Sequence, residues 1–295
     1  MVTKPDYTDE AVAAAKSVML ELFHLLGEYR DDIVLIGGWV PALLVPGGDD
    51  PHVGSLDVDL ALDHRKLAEA GYRSIERLLE SRGYEKDDAQ PFKFWRTVAT
   101  ASRPIRIEVD LLAGQYGGTG KGHRTQKVQG VRPRKARGCD LAFDAPVELD
   151  VEGELPGGGL DRASIRVVAI VPFLVMKAMA LADRLKEKDA YDIYYCVLHY
   201  PGGVAALVAD FRPHVGHGLV QEALGNIREK FATPAHIGPK HVADFYGVTD
   251  RDAREILLRD ASERVMAWVG ALNGDRESGT FPRRRAGARG NGGVV

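Results

Sequence analysis

The sequence predicts an α/β (α+β) fold: a mixed sheet with flanking helices, followed by a helical C-terminal half. Three observations carry that expectation. Strand-like runs alternate with helical ones as far as residue 168. Beyond Pro172 the apolar spacing is helical nearly to Leu272. The 295 residues are 45% hydrophobic and 27% charged, a globular balance with enough apolar material for a sizeable core. The expected organisation is a core domain over residues 1–168, a mostly helical domain over 169–272 that completes a cleft, and a basic, disordered tail over 273–295.

In chain order, residues 8–29 read as an amphipathic helix, with Thr8 or Asp9 as its cap and Val12, Val18, Leu20, Phe23, Leu25 and Leu26 on its apolar face. Ile33 to Ile36 is a β-branched run stopped by Gly37-Gly38, a buried strand and a turn. Trp39 to Val45 reads as a short helix with Pro41 in its first turn. From Gly54 to Leu62 the residues alternate, Leu56, Val58 and Leu60 against Ser55, Asp57 and Asp59, which is strand period. A helix is expected from about Arg65 to Ser81. Phe92 to Thr100 and Ile105 to Leu112 read as two strands of a hairpin, the second setting Ile105, Ile107, Val109 and Leu111 against Arg106, Glu108 and Asp110. Residues 140–168 read as short extended pieces broken by Pro156 and Gly157-Gly158-Gly159.

Several classes drop out. The longest apolar run, Val167 to Met176, is ten residues and contains Pro172, whereas a membrane span needs roughly 20. The N-terminal stretch carries acids and shows no apolar segment with a cleavage site, so no signal peptide is expected and the chain reads as cytoplasmic. Cys139 and Cys196 form no CxxC, so neither a disulfide framework nor a cysteine zinc site is indicated.

The chemistry lies in three features: a Gly-Gly turn after a strand, a strand bearing Asp57-x-Asp59, and a later strand bearing Asp110. Carboxylates two apart on a strand point to one side and repel unless a cation joins them. Two or three hard oxygen ligands with substrate phosphates suit Mg²⁺, which supports in-line phosphoryl or nucleotidyl displacement. Gly37 and Gly38 let backbone N–H groups approach a phosphate. Lys177 interrupts an apolar helix, and either snorkels to solvent or serves the site. Asp189 and Asp192 share a helix face, on which they either meet solvent or reach a cleft.

These residues resemble the DNA polymerase β-type nucleotidyltransferase superfamily: Gly37-Gly38-Trp39, Ser55-x-Asp57-x-Asp59, and Asp110 on a neighbouring strand. The helix holding Lys177 and Arg184, followed by Lys188-Asp189-Ala-Tyr-Asp192-Ile193, is similar to the pattern of AbiEii-type (MenT-like) nucleotidyltransferase toxins. The resemblance covers roughly residues 30–200. It implies a nucleotidyltransferase-type sheet, with Asp57, Asp59 and Asp110 as ligands of Mg²⁺ and Asp110 as the acceptor of the hydroxyl proton. Glu108, two residues earlier on the same face, competes for that third place. Ser55, Gly37 and Gly38 would meet phosphate oxygens, Lys177 would neutralise the triphosphate, and Asp189 or Asp192 would position it or orient the base and ribose. Bulky Trp39 departs from the small residues usual after that turn; it either packs in the core or stacks on a base.

Gly114 to Gly122 looks superficially like a P-loop, but its spacing is one residue too long and Gly122 stands where Ser or Thr is needed. His214 and His217 have no partner acid nearby in sequence and read as surface or loop residues. Net charge is −3, yet Lys121, Arg124, Lys127, Arg132, Arg134, Lys135 and Arg137 form an acid-free run, and the tail adds Arg276, Arg283, Arg284, Arg285 and Arg289. A basic segment just after the Asp110 strand suits a phosphate-rich acceptor. The expectation is a Mg²⁺-dependent enzyme that moves a nucleotide from an NTP to an RNA hydroxyl, the tRNA 3′ end by resemblance, as a toxin with a cognate antitoxin protein. A small-molecule or protein acceptor, or a catalytically inactive nucleotide- or partner-binding protein, are the alternatives.

Overall fold

A computed structural model describes residues 3–67, 74–114 and 130–278. Helix α1 (Asp9–Leu25) starts where Thr8 Oγ1 accepts the Ala11 N–H, 3.3 Å away. It ends before Gly27, four residues short of the expected 29, and Gly27–Asp32 winds into a 3₁₀ segment instead. Strand β1 (Ile33–Ile36) is buried throughout and leads through the Gly-Gly turn into α2 (Trp39–Leu44). Strand β2 is Asp57–Leu62, shorter at its start than the alternation suggests, because Gly54 sits at φ +78° and turns the chain before the strand begins. Of the helix expected over 65–81, only α3 (Ile75–Ser81) forms among the described residues; 64–67 is turn.

Strands β3 (Glu85–Lys86), β4 (Lys93–Val98), β5 (Ile105–Gly114), β6 (Arg134–Ala136), β7 (Val147–Glu154) and β8 (Leu160–Val167) complete an eight-stranded mixed sheet. Its order is β3-β4-β5-β2-β1-β8-β7, with β6 paired to β5. β2 runs parallel to β5, and β1 parallel to β8; the β1–β2, β4–β5 and β7–β8 pairs are antiparallel.

Two readings of the middle of the chain are corrected. Residues 147–167 are not broken pieces but one long hairpin. Its Pro-Gly-Gly-Gly segment is the turn, closed by Leu155 N–H donating to the Gly159 carbonyl at 3.0 Å, with Gly158 and Gly159 at positive φ. Part of the basic run is strand, not loop: β6 takes Arg134 to Ala136 into the sheet, and Arg137 pairs with Glu222 at 2.6 Å. Lys121, Arg124, Lys127, most of the P-loop-like stretch and the arginines of residues 279–295 lie outside the described residues.

The second half is helical as expected: α4 (Ile170–Arg184), α5 (Glu187–His199), α6 (Gly203–Phe211), α7 (Gly218–Phe231), α8 (Ile237–Tyr246) and α9 (Arg251–Ser278). α9 continues six residues past Leu272, into the segment expected to be disordered tail. One apolar core runs from α1 and the sheet into these helices, with Trp268 of α9 edge-on to Phe211 at 5.0 Å. Among the described residues no helix is long and apolar enough to cross a membrane.

Between α4 and α5 the chain reverses at Leu185, which holds φ +49°. A non-glycine residue in that region costs about 1 kcal/mol. What the turn achieves is return: it brings Asp189 and Asp192 of α5 back against Lys177 and Arg184 of α4.

Candidate active site

The parallel pairing of β2 with β5 sets Asp57 opposite Glu108 and Asp59 opposite Asp110. β4 continues both rows, with Trp95 opposite Glu108 and Lys93 opposite Asp110. Residues paired in register share a face of the sheet. The other face belongs to α1, whose Glu21 takes the Arg96 guanidinium at 2.9 Å and the Tyr84 hydroxyl at 2.8 Å. Four acids therefore stand together on the face α1 does not cover.

They are not equivalent. Glu108 Oε1 lies 2.6 Å from Lys93 Nζ and is neutralised there. Asp110 is buried, and its Oδ1 has no hydrogen-bond partner. Burial and the neighbouring Glu108 push its carboxyl up to about 6. Asp59 is held well above the usual carboxylate range, first by burial and then by Asp57 and Asp110. Asp57 Oδ1 accepts the Ser55 hydroxyl at 2.5 Å. Of the two candidates for the third acid, Glu108 is held in an ion pair, whereas Asp110 Oδ1 is buried without a hydrogen bond.

The Gly-Gly turn is pressed onto this row. Gly37 holds φ +77°, and a Cβ there would lie 1.9 Å from Asp59 Oδ2. A Cβ on Gly38 would lie 2.4 Å from Ser55 Oγ and 3.5 Å from Lys188 Nζ. Gly37 has no room for a side chain, and one at Gly38 would have to push the Ser55 hydroxyl aside, so main chain lies beside a carboxylate, a hydroxyl and an ammonium. Trp39 is a core residue, and its indole N–H donates to the Asp57 carbonyl at 2.9 Å, so it fixes the start of β2.

Behind the turn lies a second charge cluster. Lys177 Nζ sits 3.0 Å from Asp189 Oδ1 and 2.8 Å from Asp192 Oδ2. Arg184 forks onto Asp189 at 2.8 and 2.9 Å. Lys188 Nζ is 2.7 Å from Asp192 Oδ1, and His52 Nε2 is 2.9 Å from the same oxygen. Burial opposes the charge on Lys177, but Asp192 and Asp189 raise its pKa above the ordinary lysine value. Burial likewise opposes the charge on Asp192, and Lys177, Lys188 and His52 overcome it, holding that carboxyl far below its usual range. Lys188 is different: burial and then the nearby Lys177 weaken its charge more than Asp192 restores it, and its pKa is lowered. His52 is kept neutral, its pKa lowered to about 4 by burial and the Lys188 charge. Its Nδ1 accepts the Gly54 N–H at 3.1 Å, so Nε2 carries the proton toward Asp192.

All nine expected site residues, Gly37, Gly38, Ser55, Asp57, Asp59, Asp110, Lys177, Asp189 and Asp192, therefore fall into two clusters joined at Gly38 and Lys188. Lys177 is enclosed by two carboxylates, and Lys188 is the ammonium beside the turn. Sequence reasoning missed the parts played by His52 and Lys188. His52 sits in a Pro- and Gly-containing loop without period, and its partner is 140 residues away. His214 and His217 are exposed, as expected. A cleft of about 760 Å³ at the opposite end of α4 and α5, lined by Leu44, Ile170, Pro172 and Tyr200, includes none of the site's residues.

Among the described residues no group of three or more His, Cys, Asp and Glu side chains is arranged to hold a metal ion by itself. The donor set nonetheless fits Mg²⁺, which is commonly held by one or two carboxylates with the remainder from substrate phosphates and water. Asp110 Oδ1 is buried without a hydrogen bond, and burial with Asp57 and Asp110 opposes the charge on Asp59, both of which a bound cation would offset. No protein-family model, curated protein or solved structure matches the chain.

Proposed function

We propose that the protein is a Mg²⁺-dependent nucleotidyltransferase that moves a nucleotide from an NTP to an RNA hydroxyl, the 3′ end of tRNA by its resemblance to AbiEii-type toxins. In that role it would block translation and be restrained by a cognate antitoxin. The observation that carries this reading is the shared face: Asp57, Asp59 and Asp110 in two adjacent register pairs, capped by a Gly-Gly turn whose Gly37 has no room for a Cβ.

Asp57 and Asp59 would hold Mg²⁺, with Asp110 close by, and the bound ion would offset charge on the phosphates during displacement. The main chain of Gly37 and Gly38, the Ser55 hydroxyl and the Lys188 ammonium line the space where a triphosphate would lie. Asp110, with its carboxyl at about 6, accepts the proton of the acceptor hydroxyl. The acceptor oxygen bonds to the α-phosphorus, the bond from that phosphorus to the bridging oxygen breaks, and pyrophosphate leaves. Lys177, Asp189, Arg184, Asp192 and His52 act behind the turn as a fixed scaffold that holds Lys188 in place.

The test is incubation with total RNA and each α-labelled NTP in turn. Label is expected on RNA of tRNA size, dependent on Mg²⁺ and lost in Asp57→Ala. Label that persists in that variant would refute the assignment of the site. Label transferred only to protein or small molecules would change the acceptor class.

A further inference from the structure

On the acid-bearing face, one strand away from Glu108, stands a half-buried tryptophan with cations on it. The Arg106 guanidinium lies 4.5 Å from the Trp95 ring centroid and Lys93 Nζ lies 5.4 Å from it. Trp95 Nε1 donates to Asp87 Oδ2 at 3.0 Å, which fixes the plane of the ring. The Arg106 side chain is half exposed and its other contact is Glu85 at 3.1 Å, so it can leave the ring or carry a further plane on its outer side. Along the same edge of the site Arg134 of β6 lies over the Phe92 ring at 5.3 Å. Trp95 is two residues along β4 from Lys93, the residue opposite Asp110, a step on the order of 7 Å. That is within one nucleotide's reach of the acid assigned to the acceptor hydroxyl.

From these contacts we infer that Trp95, with Arg106, is the stacking platform for a base at the end of a single-stranded RNA acceptor. Aromatic faces interleaved with guanidinium and ammonium groups are how unpaired bases and their phosphates are held together. Lys93 and Arg134 flank the platform where the backbone of such a strand would pass. This rests on the transferase reading for the choice of acceptor, but it is a statement about binding and needs no turnover to be seen.

The chain has three tryptophans. Trp39 and Trp268 are buried, at 4% and 0% exposure, so quenching of intrinsic fluorescence by RNA reports on Trp95. Titration of the full-length protein with a short single-stranded RNA, without NTP, is expected to quench that emission. Trp95→Ala should weaken binding by roughly 5- to 150-fold, the range set by stacking of one base. Trp95→Phe should keep affinity within a few-fold while abolishing the quench, and an unchanged melting temperature in both variants excludes misfolding. Arg106→Ala should weaken binding and flatten its salt dependence. RNA that binds without quenching, or binds Trp95→Ala as it binds the wild type, overturns the inference even if label still reaches RNA. Quenching by RNA with no transfer from any NTP upholds the platform and removes the transferase reading instead.

Discussion

Gly37 lies so close to Asp59 that a Cβ would approach Oδ2 to 1.9 Å, less than any non-bonded contact permits. Gly37→Ala must therefore displace the carboxylate or the turn, besides holding φ +77°. Gly48, at φ +58° with open space around it, is the matched control. Both alanines should cost about 1 kcal/mol in denaturant unfolding from backbone strain. Only Gly37→Ala should also cut nucleotide transfer, at least tenfold; equal activities in the two variants would remove the turn from the site.

The two candidates for the third acid separate by substitution. Asp110→Asn should lower kcat/KM by at least a hundredfold, whereas Glu108→Gln, which loosens the Lys93 pair and removes one charge that raises the Asp110 pKa, should cost less than tenfold. The carboxyl of Asp110 must be ionised to take a proton, and its pKa is about 6, so kcat/KM should rise as pH climbs through 6. For stability the sign is opposite. The folded chain keeps a proton that the unfolded chain releases above its ordinary pKa of 3.8, so stability declines with rising pH between 3.8 and 6. Asp110→Asn should flatten that decline in denaturation measured at pH 4, 5 and 6.5.

Lys177 is enclosed by Asp189 and Asp192, and removing it takes one cation from each, leaving Arg184 on Asp189 and Lys188 with His52 on Asp192. Lys177→Met should destabilise the fold by about 3–5 kcal/mol, the usual cost of breaking one side of a buried pair. Adding Asp192→Asn should recover part of that loss, because the two residues touch and their effects are not additive. A strictly additive double variant in thermal unfolding would show that Lys177 and Asp192 do not interact.

His52 gives the site a defined acid limit. Its pKa is lowered to about 4 from an ordinary 6.5, so the unfolded chain binds the extra proton first as pH falls. Its contribution to stability is present above 6.5 and lost on acidification toward 4, by at most about 1.4 kcal/mol per pH unit. His52→Gln, which keeps a donor toward Asp192, should lose less stability than the wild type between pH 6.5 and 4.5. Parallel curves would place the acid sensitivity elsewhere.

The acids were legible because period two on a strand is a local property, and Asp57, Asp59, Glu108 and Asp110 all obey it. Which of them is neutralised was not, since Lys93 reaches Glu108 only through the register of β4 on β5. The helix pattern put Asp189 and Asp192 on one face but could not choose between solvent and cleft; the left-handed Leu185 made that choice. The hairpin over 147–167 was misread because Pro156 and three glycines signal both a break and a tight turn, and only the partner strand distinguishes them. His52 carries no periodic signal, and its partners belong to a helix that begins more than a hundred residues later.

The pairing of β2 with β5 has a consequence for the order in which the site comes into being. Neither strand holds a working set of acids alone, and the two lie some fifty residues apart in a parallel arrangement, which a simple hairpin cannot form. The cations Lys177, Arg184 and Lys188 arrive later still, on α4 and α5. During synthesis from the N-terminus, a chain that has reached Asp110 but not Asp192 already owns its carboxylates and lacks the helices that anchor Lys188 beside them. Competence would thus be acquired late and all at once, when residues near 190 fold back onto the sheet.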